Sequence, residues 1–167
     1  LNGNESNLFG EGDEFMIVEA DEYDRSFLQL YPSIGCITSM DADHLDVYQT
    51  IDAFNAAFIQ FSEQITHNLI FAYGLPLRGL TFGIEVPADY EASNINPLNM
   101  GYSFDLKTPK GNFEGISFSQ LGKHNISNAV CAIAMADQAG IPMKSALKTL
   151  ESFPGVYRRM NVFKWGK

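Results

Sequence analysis

Ile51, Phe54, Phe58, Phe61 and Ile65 recur at spacings of three and four, with Asp52, Asn55, Gln60 and Glu63 elsewhere. A stripe of that period predicts an amphipathic helix with one face on a core. A short apolar run flanks it on each side: Ile34-Gly35-Cys36-Ile37-Thr38 before it and Asn68 to Ala72 after it. Both have the length and composition of buried strands. Strand, helix and strand in succession constrain the chain to an α/β fold with a largely parallel sheet flanked by helices. Phe15-Met16-Ile17-Val18, entered from a Gly/acidic turn and stopped by Glu19, predicts another buried strand. Ala20 to Tyr31, about a dozen residues, would then carry a crossover to a parallel neighbour through one short helix.

The middle of the chain changes character. Thr81 to Phe118 is a series of short alternating segments broken by Pro87, Pro97, Gly101, Pro109 and Gly115. Tyr102, Phe104 and Leu106 alternate with Ser103, Asp105 and Lys107, which leaves one apolar face. Lys110-Gly111-Asn112 reads as the hairpin turn into Phe113–Phe118. These features predict a small antiparallel subsheet appended to the parallel core. Ile126, Ala129, Val130, Ile133 and Ala134 then form a helical stripe closed by Gly140 and Pro142. Met143, Ala146, Leu147 and Leu150 mark a second helix that ends before Pro154-Gly155, and Met160–Trp165 has strand character.

The 167 residues are enough for one domain, and 46% of them are apolar, so general disorder is excluded. Twenty acidic against eleven basic residues give a net charge of −9. Such a surface repels nucleic acid and anionic membranes, and an anionic ligand on it needs metal ions or local basic groups. The polar Leu1–Gly12 stretch predicts no secretory signal, and the initial Leu predicts a piece of a longer protein. Cys36 and Cys131, each in an apolar stretch, predict two buried, reduced thiols in a cytoplasmic protein.

Two acidic clusters follow predicted strands: Glu19-Ala20-Asp21-Glu22-Tyr23-Asp24, and Asp41-Ala42-Asp43-His44-Leu45-Asp46. Ligands of open α/β sheets bind outside the carboxyl ends of the strands. Hard carboxylate oxygens suit Mg²⁺, while an imidazole such as His44 also admits Mn²⁺ or Zn²⁺. The plain alternative is solvated loop acids. Asn125 and Asn128, three apart at a helix start after Gly122-Lys123-His124, offer amides that suit the edge of a base, or that simply cap the helix. Arg158 and Arg159, two of only four arginines, match phosphate geometry, or form a surface pair in a linker. The sequence has no GxxxxGK[ST] phosphate cradle, no GxSxG elbow and no HExxH pair.

Taken together, Val18-Glu19-Ala20-Asp21-Glu22, Asp43-His44-Leu45-Asp46-Val47-Tyr48, Gly122-Lys123-His124-Asn125-x-x-Asn128 and Phe153-x-Gly155-x-x-Arg158-Arg159 resemble the Mur ligases in order and rough spacing. The resemblance runs from about Phe15 to Arg159. It implies an ATP- and Mg²⁺-dependent amide ligase of peptidoglycan precursor synthesis acting through an acyl phosphate. Residues 1–157 would be the central domain without its P-loop segment, and 158–167 the linker and start of the next domain. Carried over, Glu19 and His44 are metal ligands and, with Arg159, the catalytic set; His124, Asn125, Asn128 and Arg158 line the nucleotide site. The first lysine of the chain is Lys107, so none lies near the second acidic cluster. Its absence is similar to the alanine-adding branch, whose substrates are UDP-N-acetylmuramate and L-alanine, or to a close relative that recycles muropeptides. Met160 departs from the Phe usual after the two arginines. A non-catalytic acidic module that binds metal or nucleotide is the reading outside the ligase class. The isolated chain is expected to be inactive, and to self-associate through surface that the P-loop unit would cover.

Overall fold

The computed structural model describes residues 15–41 and 45–156. Six strands form one sheet in chain order: β1 (Ile34–Ile37), β2 (Asn68–Ala72), β3 (Leu80–Ile84), β4 (Tyr90–Pro97), β5 (Tyr102–Thr108) and β6 (Gly111–Phe118). β1 to β4 are parallel, and β5 and β6 are each antiparallel to the preceding strand. The α/β class and the largely parallel, helix-flanked sheet expected from the sequence are therefore present. The antiparallel strands extend the same sheet, and β3 and β4, read as part of the antiparallel region, are parallel partners. No helix of the described residues is long and apolar enough to cross a membrane.

One face is covered by a seven-residue 3-10 segment, Tyr23–Gln29, kinked at Asp24 and Arg25, with α1 (Leu45–Tyr48) and α2 (Ile51–Gln64). Thr50 caps α2, its hydroxyl accepting from Ala53 N at 3.1 Å. Phe54, Ala57 and Phe61 turn inward, while Ile51, the first member of the predicted stripe, stands exposed at the start of the helix. Phe27, Phe54, Phe58 and Phe61 meet ring to ring, with centroids 4.8 to 5.2 Å apart. The other face carries α3 (Lys123–Gln138) and α4 (Met143–Glu151), and the predicted α3 stripe is buried throughout. At the far end of α3, buried Asp137 accepts from Tyr90 Oη and from Lys110 Nζ, both at 2.6 Å, so a carboxylate taken out of water keeps two partners.

The two returns between parallel neighbours, 73–79 and 85–89, carry no helix, although parallel crossovers ordinarily need about a dozen residues. They suffice because each ladder pairs only three residues, so the chain has little distance to recover. At the first return an added Cβ on Gly79 would strike the Leu69 carbonyl, so glycine is required. In the second, Glu85 adopts φ 51° and its N–H donates to Ala92 O at 2.8 Å. Asp89 then clamps the turn, its Oδ2 accepting from Thr81 N at 2.8 Å and Thr81 Oγ1 at 2.7 Å. The backbone N–H of Thr81 is the main reason the Asp89 carboxyl lies below its ordinary pKa.

Two local expectations change. Phe15–Val18 is not a strand: its four side chains are 49 to 87% exposed, and among the described residues β1 pairs only with β2. A strand exists by its ladder, and an apolar run with no neighbour to bond has none. The hairpin turn sits at Pro109-Lys110, since Thr108 pairs with Gly111. Met160–Trp165 lies outside the described residues.

Candidate functional site

Strand direction decides which residues share a rim. β1 to β4 run one way, β5 reverses and β6 restores that direction. Thr38–Asp41, leaving β1, and Lys123, five residues after the end of β6, therefore lie at the same end of the strands. The first acidic cluster joins them there. A cavity of about 310 Å³ is lined by Ala20 and Glu22 from that cluster, by Asp41 from the second and by Ser39 just before it, over Ile37 and the Phe58 ring. Glu19 is exposed and borders an adjoining cleft with Asp21 and Glu22.

Local bonds hold both acidic turns. Asp21 Oδ1 accepts from Tyr23 N at 2.9 Å, and Ser26 Oγ donates to Asp21 O at 3.0 Å. Ser39 Oγ donates to Asp41 Oδ2 at 2.6 Å while accepting from Asp41 N at 2.9 Å. Tyr48, 1% exposed, links the turns: its hydroxyl donates to Glu22 O at 2.6 Å, and the Arg25 guanidinium lies 5.0 Å from its ring centre. Burial pushes the Tyr48 phenol up, and Arg25 opposes that. Sequence reasoning gave no role to Arg25, Ser39 or Tyr48. The signal for Tyr48 was its place as the last residue of the Asp43–Tyr48 motif, which carried no statement of what it does.

On the helix side, Gly122 enters α3 at φ 92°, with the His124 ring packed where a Cβ would stand. Asn125 is half-buried and its Nδ2 donates to Leu121 O at 2.7 Å, so one amide donor closes the turn. His124 and Asn128 are exposed. Asn125 and Asn128, one turn apart, share a face. Among the described residues no three His, Cys, Asp or Glu side chains converge on one point, so the acidic rim is an open set of hard donors rather than a closed cage. His44, Arg158 and Arg159 lie outside the described residues.

Residues 6–136 match the family described as Mur ligase middle domain. The chain is 48% identical over 158 residues to the UDP-N-acetylmuramate–L-alanine ligase of Flavobacterium psychrophilum, covering 93% of this chain and 35% of that protein. It is 33% identical over 169 residues to the like-named ligase of Chlorobium phaeobacteroides BS1, covering 94% of this chain and 36% of that one. The chain thus spans about a third of the length of the curated relatives it matches. Among solved structures, the UDP-N-acetylmuramate–alanine ligase MurC of Thermotoga maritima superposes with a TM-score of 0.73 at 24% identity, over 83% of this chain and 33% of that one. A murein peptide ligase of Psychrobacter arcticus superposes at 0.61 with 21% identity, over 83% and 30%. Both likenesses concern the fold.

Proposed function

The chain belongs to the Mur ligase family, and we propose that it is the metal- and nucleotide-binding part of a cytoplasmic ligase that joins L-alanine to UDP-N-acetylmuramate using ATP. What carries this reading is the shared rim: two acid-rich turns border one cavity at the carboxyl end of β1, the end of the sheet from which α3 starts. In this reading residues 1–157 are the middle domain without its P-loop segment, and 158–167 lead into the next domain. The free edge of β1, the cavity and Phe15–Val18 are then the surfaces that segment covers, and a chain lacking it self-associates there.

Magnesium suits the donor set, because Mg²⁺ takes one or two carboxylates and completes its shell with water and phosphate. Glu19 and His44 would hold it. Bound there, Mg²⁺ supplies positive charge against the triphosphate in a protein of net charge −9. Asn125 and Asn128 hold the edge of the adenine, with His124 beside it, and Arg158 and Arg159 offset charge on the transferring phosphoryl group. The substrate carboxylate would attack the γ-phosphate and release ADP, and the amine of L-alanine would then displace phosphate from the acyl phosphate and form the amide. Protein groups contribute by positioning and electrostatics.

The test is turnover of the full-length protein with UDP-N-acetylmuramate, ATP and a panel of amines, where L-alanine should be preferred. Glu19→Ala should lower that turnover by about a hundredfold or more with the melting temperature unchanged. A large fall in melting temperature would make Glu19 structural, and preference for a preformed muropeptide would move the chain to the recycling branch. The isolated chain should neither ligate nor hydrolyse ATP.

A further inference from the structure

Cys36 and Cys131 are 95 residues apart in sequence, yet their Sγ atoms lie 2.9 Å apart. Cys36 is the third residue of β1, is half-buried, and lines the cavity at the acidic rim. Cys131 lies in the middle of α3, only 8% exposed, packed among the apolar side chains on that face of the sheet. Among the described residues β1 is an edge strand, so Cys36 is the more exposed of the two thiols, and Cys131 stands against it. Nothing in the ligase reading uses either sulfur.

We propose that this pair is a modification site: a dithiol that a small hydroperoxide closes, reversibly, into an intrachain disulfide between β1 and α3. In the first step the Cys36 sulfur attacks the terminal peroxide oxygen. The O–O bond breaks, the thiol proton leaves with the displaced oxygen, and Cys36 becomes a sulfenic acid. In the second, the Cys131 sulfur attacks Cys36 Sγ. The S–S bond forms, the S–O bond breaks, and hydroxide departs as water with the Cys131 proton. Two thiols lose two electrons in all, and the hydroperoxide is reduced to water and an alcohol, or to two waters from hydrogen peroxide. In the reduced pair the hydrogen bond between the sulfurs, with burial, pushes the Cys36 thiol up, while the same bond pushes the Cys131 thiol down, so the attack of Cys36 on the peroxide is the slow step. A dithiol reductant reverses the reaction. The bond would tie the strand that runs into Thr38–Asp41 to the helix that begins at Lys123, and so fix the two halves of the rim relative to one another.

The reduced chain is exposed to hydrogen peroxide, denatured in alkylating agent and weighed. The expected product has lost both free thiols together, is lighter by two hydrogen atoms, yields a cross-linked peptide pair containing Cys36 and Cys131, and reverts with dithiothreitol. With Cys131→Ala, dimedone should capture a sulfenic acid at Cys36; with Cys36→Ala, Cys131 should stay reduced at the same exposure. The wild-type mass and peptide map need no variant to fold. Thiols that both remain alkylatable, cross-links found only between chains, or a dimedone adduct on Cys131 alone would each overturn the proposal.

Discussion

The sheet has two edges, and they are finished differently. β6 turns polar and charged side chains outward, Asn112, Glu114 and Ser117, and its ladder with β5 is interrupted at Phe104/Leu106, where Asp105 Oδ1 accepts from Gly115 N at 2.8 Å. A broken register and outward charge are how an edge strand resists further pairing. β1 has neither device. Its residues are Ile34, Gly35, Cys36 and Ile37, a cavity adjoins it, and the apolar run Phe15–Val18 is exposed. The contrast teaches that, among the described residues, the β6 edge carries devices against further pairing and the β1 edge does not.

Stability measurements can break that contrast or sharpen it. Phe104 is 1% exposed between β4 and β6. Phe104→Ala should therefore cost about 3–5 kcal/mol in urea unfolding. Asp137→Ala leaves the Tyr90 hydroxyl and the Lys110 ammonium without their carboxylate, and should cost about 2–4 kcal/mol. Phe58 borders the cavity and is only partly buried. Phe58→Ala enlarges an existing void and should cost about 1–2 kcal/mol, well below Phe104→Ala. A cost equal to that of Phe104→Ala would mean that the β1 side is as tightly closed as the other.

Titration supplies a finer test on the closed side. Burial, with Asp137 accepting its hydroxyl proton, pushes Tyr90 up to about 12. The folded state thus holds this proton more tightly than the unfolded chain. Its contribution is fully present below the ordinary tyrosine value of about 10 and is lost as pH rises towards the folded value. The fall in urea midpoint across that window should be smaller in Tyr90→Phe. Smallest of all, Ile17→Asp at an 87% exposed position should change stability by no more than about 0.5 kcal/mol, while sedimentation shifts toward monomer. A clear loss of stability would show that the run is packed.

The same contrast explains what the sequence made legible. The phenylalanines of α2, the stripe of α3 and the runs at β1 and β2 state their partners through periodicity, because burial on one face acts at every turn or pleat. Phe15–Val18 has equally strong strand composition, but composition carries no information about whether a ladder partner is present. The β3 and β4 returns misled for the opposite reason: with no helix between them, nothing local distinguishes a parallel return from a hairpin, and the Thr81–Asp89 clamp that fixes it joins residues of unremarkable type. At the rim, the carboxylates and the Asn125/Asn128 pair were readable as residue types at strand and helix ends. The Tyr48–Glu22 link and the contact of Cys36 with Cys131 were not, since each depends on a path through space that spacing does not encode.

Strand order in this sheet repeats chain order from β1 to β6. During synthesis each described strand after β1 therefore emerges beside a partner already made, and none of these waits for a distant one to close the ladder. Such vectorial growth keeps loop-closure costs small and shortens the time for which strand edges stand open on the ribosome.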